Sequence, residues 1–174
     1  MFSTDRLILR QFEESDLDDM LRMRNQAEVR RVLSYGYLVP SSPSFEQTMR
    51  QWVDNALIFL IITLRESGEY LGDCRLDMET SKNRNGRLAI SLLQEHQGKG
   101  YGEEALRFLI DHAFKQLALH RISLEVFQPN VKAIKLYRKL GFVEEGRVRD
   151  GLWMDGGWQD IIAMGILDRE WKQQ

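Results

Sequence analysis

The chain has 174 residues, 43% of them hydrophobic, and a formal net charge of −2 with acids and bases interleaved. That length suits a single domain, 1–174, that buries its own core without covalent staples, and the even charge argues against a nucleic-acid surface. Cys74 is the only cysteine, so an intrachain disulfide and a cysteine-rich zinc site are excluded, and a reducing cytoplasm is the expected setting.

The first residues, Met1-Phe2-Ser3-Thr4-Asp5-Arg6, lack the apolar core of a signal peptide. Residues 6–10 read as a strand. Ser15 reads as a helix N-cap, with Asp18 three residues on and Leu17, Met20 and Leu21 on one face. Residues 35–43 hold two of the three prolines and are expected to form a mobile, irregular loop on the acceptor side. A second helix is predicted over 44–55. The apolar run 56–62 is too short for a bilayer, which needs about 20 residues in a helix, so no membrane partner is expected. Its end opens a buried strand over 58–64.

Strands are also predicted over 70–78 and 87–93, with turns at 66–69 and 81–86. The clearest helix follows, with Ala105, Leu106, Leu109, Ile110, Ala113, Phe114 and Leu117 at helical spacing. Residues 121–127 read as a strand and 131–139 as a short helix closed by Gly141. Two final strands, near 142–153 and 158–166, flank the turn Asp155-Gly156-Gly157. The order is β-α-α-β-β-β-α-β-α-β-β, an α+β class with a mostly antiparallel sheet and packed helices.

The strongest local signal is Gln97-Gly98-Lys99-Gly100-Tyr101-Gly102, between a strand and a helix. Glycines at alternate positions allow a tight turn and close approach of backbone to ligand. The amides then lie at a helix N-terminus, where an anion such as a pyrophosphate is favoured, and Lys99 adds charge at the rim. The spacing fits neither a Walker A loop nor a dinucleotide fingerprint. His96, His112 and His120 have no metal-like spacing, so no metal is expected. Asn130 and Tyr137, seven residues apart, fall on one helical face.

Together these segments resemble the GNAT acetyltransferase superfamily. Gln97-x-x-Gly100-x-Gly102 resembles its acetyl-CoA loop, and Asn130-x-x-Ala133-x-x-Leu136-Tyr137-x-x-x-Gly141-Phe142 its second signature. Residues 95–142 and the hairpin through Trp158-Gln159-Asp160 are similar to ribosomal-protein N-terminal acetyltransferases and to spermidine acetyltransferases. The resemblance implies a sheet with splayed central strands and acetyl-CoA as cosubstrate. It implies a pantetheine arm added along a strand ending at Leu92-Leu93, and a pyrophosphate on the amides from Gly98 to Gly102, within the cofactor-binding loop Gln97 to Gly102. It also implies that Asn130 meets the cofactor arm and that Tyr137 protonates the departing thiolate.

Glu125 is the candidate base. In Ile122-Ser123-Leu124-Glu125-Val126-Phe127, alternation sets Ser123, Glu125 and Phe127 opposite the other three, and a Leu-Glu-Val segment here supplies a catalytic Glu in the ribosomal-protein enzymes. The alternative is a strand-face Glu in solvent or paired with a base. His96 is read as a loop residue flanking the cofactor, Asp73, Arg75 and Asp77 as a solvated strand face, and Trp153 and Trp158 as packing residues. The expected acceptor is a primary amine, a peptide α-amine ahead of a polyamine. The acids Glu13, Glu14, Asp16, Asp18 and Asp19 keep the polyamine open, because polyamine sites concentrate carboxylates. A non-catalytic acyl-CoA sensor is the competing class.

Overall fold

The computed structural model describes residues 1–39, 41 and 44–171. The chain's contacts divide it into two compact units, Met1–Asp77 with Ala89–Phe108, and Met78–Leu88 with Leu109–Gln174.

In the first unit, β1 (Phe2–Ser3), β2 (Leu7–Arg10), β3 (Ile58–Leu64) and β4 (Tyr70–Thr80) pair antiparallel in that order. β3 lies between two partners and is buried along most of its length, hence its unbroken apolar run. α1 (Leu17–Asn25) is not capped by Ser15 as expected. Ser15 lies inside a 3₁₀ turn, Glu14–Asp16, and Asp16 organises it. The Asp16 carboxylate accepts the Glu13 N–H at 2.8 Å and the two Arg10 terminal nitrogens at 2.8 and 2.6 Å. A carboxylate held by a guanidinium outcompetes a serine hydroxyl for this place.

One helix was expected before the irregular stretch, and there are two. α2 (Ala27–Leu33) follows a break at Gln26, whose backbone is extended while its side chain donates to Glu95 at 3.0 Å and accepts from the Gln94 N–H at 2.8 Å. Residues 35–39 and 41 have no regular structure, and Pro40, Ser42 and Pro43 of the expected loop lie outside the described residues. α3 (Phe45–Asn55) then packs Met49 with Met20 and Met23 of α1 against Phe59 and Ile61 of β3. β5 (Asn85–Leu92) and α4 (Tyr101–Lys115) follow, and the residues predicted to face the core from α4 include Ala105, Leu106, Leu109, Ile110 and Ala113, all fully buried.

In the second unit, β5 and β6 (Arg121–Phe127) form a parallel ladder of three pairs, Asn85↔Arg121 to Arg87↔Ser123, although β6 continues to Phe127. β6 is antiparallel to β8 (Gly157–Leu167) over its whole length, and β8 to β7 (Val143–Met154). The pairs β1–β2, β2–β3, β3–β4, β6–β8 and β7–β8 are antiparallel, so the fold is the expected mixed, mostly antiparallel α+β class. α5 (Val131–Lys139) ends as expected, with Gly141 left-handed at φ +92° just beyond it. The hairpin turn is shorter than expected. Met154 pairs with Gly157, leaving Asp155 and Gly156, both at positive φ, as a two-residue loop. The short α6 (Asp168–Trp171) closes the described chain.

Candidate active site

In the first unit, residues 92–104 run from strand end through turn to helix. The Leu93 N–H donates to Leu71 O at 2.9 Å, and Leu93 O accepts the His96 N–H at 3.0 Å, so both Leu93 main-chain groups are committed. Neighbouring residues of a strand point their main-chain groups to opposite edges, so those of Leu92 face away from Leu71. Leu92 O accepts Gln97 Nε2 at 3.0 Å, which folds the Gln97 side chain back onto the strand end.

The turn is then built on two left-handed glycines, Gly98 at φ +77° and Gly100 at φ +87°. A Cβ at Gly98 would have no heavy atom within 4 Å, while one at Gly100 would stand 3.1 Å from Arg6 Nη2. The third glycine of the motif is not part of the turn. Tyr101 already opens α4, and Gly100 O accepts the Glu104 N–H at 3.1 Å, so Gly102 is helical. Residues 97–100 are exposed at the N-terminus of a 15-residue helix, which suits an anion.

Sequence reasoning missed the brace under this turn. Glu104 Oε1 accepts Thr4 Oγ1 at 2.6 Å and the Arg6 N–H at 2.8 Å, and Glu104 Oε2 accepts Arg6 Nε at 2.7 Å. Burial pushes the Glu104 carboxyl up, but these hydrogen bonds outweigh it and hold it below the usual carboxylate range. Arg6 Nη1 also donates to Lys99 O at 3.1 Å, and its guanidinium lies 4.7 Å over the Tyr101 ring. No sequence signal links residues 98 apart, so only the strand's place in the fold reveals it. His96 is more than a loop flank. It is buried in the 3₁₀ turn Gln94–His96, edge-on to Tyr101 and 3.1 Å from Glu69 Oε1, without hydrogen-bond alignment at either ring nitrogen.

The face read as solvated is only partly so. Asp77 is half exposed against Arg75 Nε at 2.9 Å. Asp73 is buried and takes Arg24 in a two-point contact at 2.8 and 2.9 Å, with Tyr70 OH at 3.2 Å. The alternation of Asp73 with Arg75 and Asp77 mimics a surface pattern, because the burial is supplied by helices distant in sequence.

In the second unit, Asn130 caps α5 by accepting the Ala133 N–H at 3.2 Å. This leaves its Nδ2 uncommitted to the cap. Tyr137, two turns on, is 8% exposed and lies edge-on to Phe142 at 5.8 Å. Burial alone pushes its hydroxyl up to about 12. Glu125 projects from β6 on the exposed face, and its Oε2 accepts Arg87 Nη2 at 2.7 Å. The alternation holds for Ile122, Leu124 and Val126, all buried, but Phe127 is buried as well and joins Leu152, Met154 and Ile161. Trp153 and Trp158 are not core packing. Each is 59% exposed, and they stack edge-on at 5.2 Å beside the hairpin turn.

Residues 6–143 match the model of the acetyltransferase (GNAT) domain. The chain belongs to the GNAT acetyltransferases. This GNAT chain is 30% identical to a spermidine N(1)-acetyltransferase of Vibrio cholerae, over 95% of each protein. It is 28% identical to YdaF of Bacillus subtilis, provisionally named a ribosomal N-acetyltransferase, over 97% of this chain and 94% of that one. A crystal structure of the Vibrio cholerae spermidine N-acetyltransferase with CoA and spermine superposes with a TM-score of 0.86 at 28% identity, covering 97% of this chain and 99% of that one. The GNAT chain is thus an acetyl-CoA-dependent N-acetyltransferase, and its left-handed glycines and exposed helix N-terminus fit the anionic part of that donor. Among the described residues, no group of His, Cys, Asp and Glu could hold a metal, and no helix is long and apolar enough to cross a membrane.

Proposed function

We propose that the two units act as one N-acetyltransferase domain that moves an acetyl group from acetyl-CoA to the α-amine of a peptide or protein. The observation that carries the donor half is the Gly98–Gly100 turn at the start of α4, left-handed at both glycines and open to a Cβ at Gly98. Gln97, Gly98, Lys99, Gly100, Tyr101 and Gly102 hold the pyrophosphate, mainly through main-chain amides. Leu92, whose main-chain groups face away from Leu71, bonds the pantetheine arm, while Leu93 backs it by packing. Asn130 offers Nδ2 to the same arm.

Acetyl-CoA, when bound, supplies the acyl group as a thioester. Tyr137 donates its proton to the departing sulfur. A hydroxyl raised to about 12 stays protonated throughout the working pH range, so the donor form is always present. Against a thiol of about 8.5, transfer is completed only where burial raises the sulfur's proton affinity too. Glu125 takes the ammonium proton, with Arg87 fixing its carboxylate. The lone, buried thiol of Cys74 suits a cytoplasmic setting.

The acceptor half rests on the fate of the acidic cluster. Glu14 is paired with Arg50 at 2.9 Å, Asp16 with Arg10 at 2.6 Å and Asp19 with Arg22 at 3.0 Å. These three of the five carboxylates, already paired with arginines, hold a polycation poorly, which favours a singly charged α-amine. A polyamine is the second reading, favoured by the likeness to the Vibrio cholerae enzyme solved with spermine. The test is free-thiol release from acetyl-CoA with peptides, polyamines, amino acids and aminoglycosides in parallel. Peptides are expected to give the highest kcat/KM. Turnover confined to spermidine and spermine would overturn the α-amine reading.

A further inference from the structure

The brace beneath the glycine turn uses one side chain to reach four residues of the turn and of the first turn of α4. Arg6 Nη1 holds Lys99 O, Nη2 stands 3.1 Å from the Cβ position of Gly100, the guanidinium covers Tyr101, and Nε holds Glu104. The Lys99 contact has a geometric consequence. A trans peptide is planar, with its C=O and N–H pointing in opposite directions, and the described chain has no cis peptides. Turning Lys99 O toward Arg6 therefore turns the Gly100 N–H away from it. Glycine at φ +87° permits that orientation but does not select it. The selection comes from Arg6, itself pinned by Glu104, which Thr4 also holds at 2.6 Å.

We propose that Arg6 is a positioning residue for the donor's pyrophosphate, locking the Lys99–Gly100 peptide so that its N–H faces the phosphate. This rests on the reading that the Gly98–Gly100 turn binds that pyrophosphate. Lysine keeps the charge but not the planar fork that reaches Glu104 and Lys99 together, so the role belongs to arginine's geometry.

The experiment compares two donors, acetyl-CoA and acetyl-pantetheine, which lacks the pyrophosphate and nucleotide. Steady-state KM and kcat are measured for wild type, Arg6→Lys and Arg6→Gln, with circular dichroism and melting curves as folding controls. If Arg6→Gln fails to fold, Arg6→Lys carries the test. The acetyl-CoA KM is expected to rise about 10-fold, the scale of one charge-assisted hydrogen bond. The acetyl-pantetheine KM and both kcat values are expected to stay within about twofold. An equal rise in KM for both donors, or an unchanged acetyl-CoA KM, in a folded variant would overturn the role of Arg6 and leave the loop reading intact. A wild type with the same KM for both donors would instead overturn the loop reading, and the proposal with it.

Discussion

The two stretches proposed to carry the chemistry are built in opposite ways. Residues 92–104 of the first unit offer main-chain groups, shaped by two left-handed glycines and braced by Thr4, Arg6 and Glu104. Residues 125–142 of the second unit offer side chains, positioned by a helix cap at Asn130 and by the burial of Tyr137. A main-chain site tolerates variation in its side chains but not in its dihedral angles. A side-chain site is the reverse: its helix can be built from many residues, but the functional atom cannot be replaced.

Substitutions at Gly100 and Tyr137 should separate the two designs. The largest effect is expected from Gly100→Val. A β-branched residue is strained at φ +87°, and its Cβ would meet Arg6 Nη2 at 3.1 Å. Acetyl-CoA binding measured by calorimetry should be lost while the protein remains folded. Unchanged affinity would move the phosphate site elsewhere.

Tyr137→Phe comes next. Removing a positioned proton donor should lower kcat by about 10²–10⁴-fold, with donor affinity nearly unchanged because the ring still packs on Phe142. Because the hydroxyl is raised to about 12, it loses its proton only as pH climbs through that value. The wild-type rate should therefore show no fall attributable to Tyr137 below about pH 11. A folded Phe variant with wild-type turnover would remove Tyr137 from the mechanism.

The smallest effect is expected at Glu125. An α-amine of pKa about 7.7–8.0 is already about a tenth neutral at pH 7, so a base can gain only about tenfold there. Glu125→Gln should slow turnover by up to that factor at neutral pH and recover as pH rises past the amine's pKa. Superimposed pH–rate profiles would leave water or bulk solvent as the proton acceptor.

These contrasts also explain what could be read in advance. The glycine spacing named the turn, and the interval from Asn130 to Tyr137 named the helix, because both are local patterns with a fixed structural meaning. The strands of 58–64 and 121–127 and the helix of 131–139 were legible to the residue, since periodicity and flanking breakers agree there. Arg6 and Glu104 were not, and neither was the burial of Asp73 by Arg24, since each depends on residues brought together from far apart. The Gln26 break and the Asp16 turn were missed for a related reason. In both, the side chain takes a hydrogen bond that propensity alone does not weigh, and at Gln26 the partners lie 68 and 69 residues away.

The most direct measurement of the central claim is a single-tube competition for limiting acetyl-CoA between a peptide with a free N-terminus and equimolar spermidine, with products read by mass spectrometry. Acetyl groups are expected mainly on the peptide N-terminus, and Tyr137→Phe should abolish that product. Acetylated spermidine as the dominant product would contradict the acceptor assignment, and acetyl-CoA binding with no acetylated product on any amine would contradict catalysis itself.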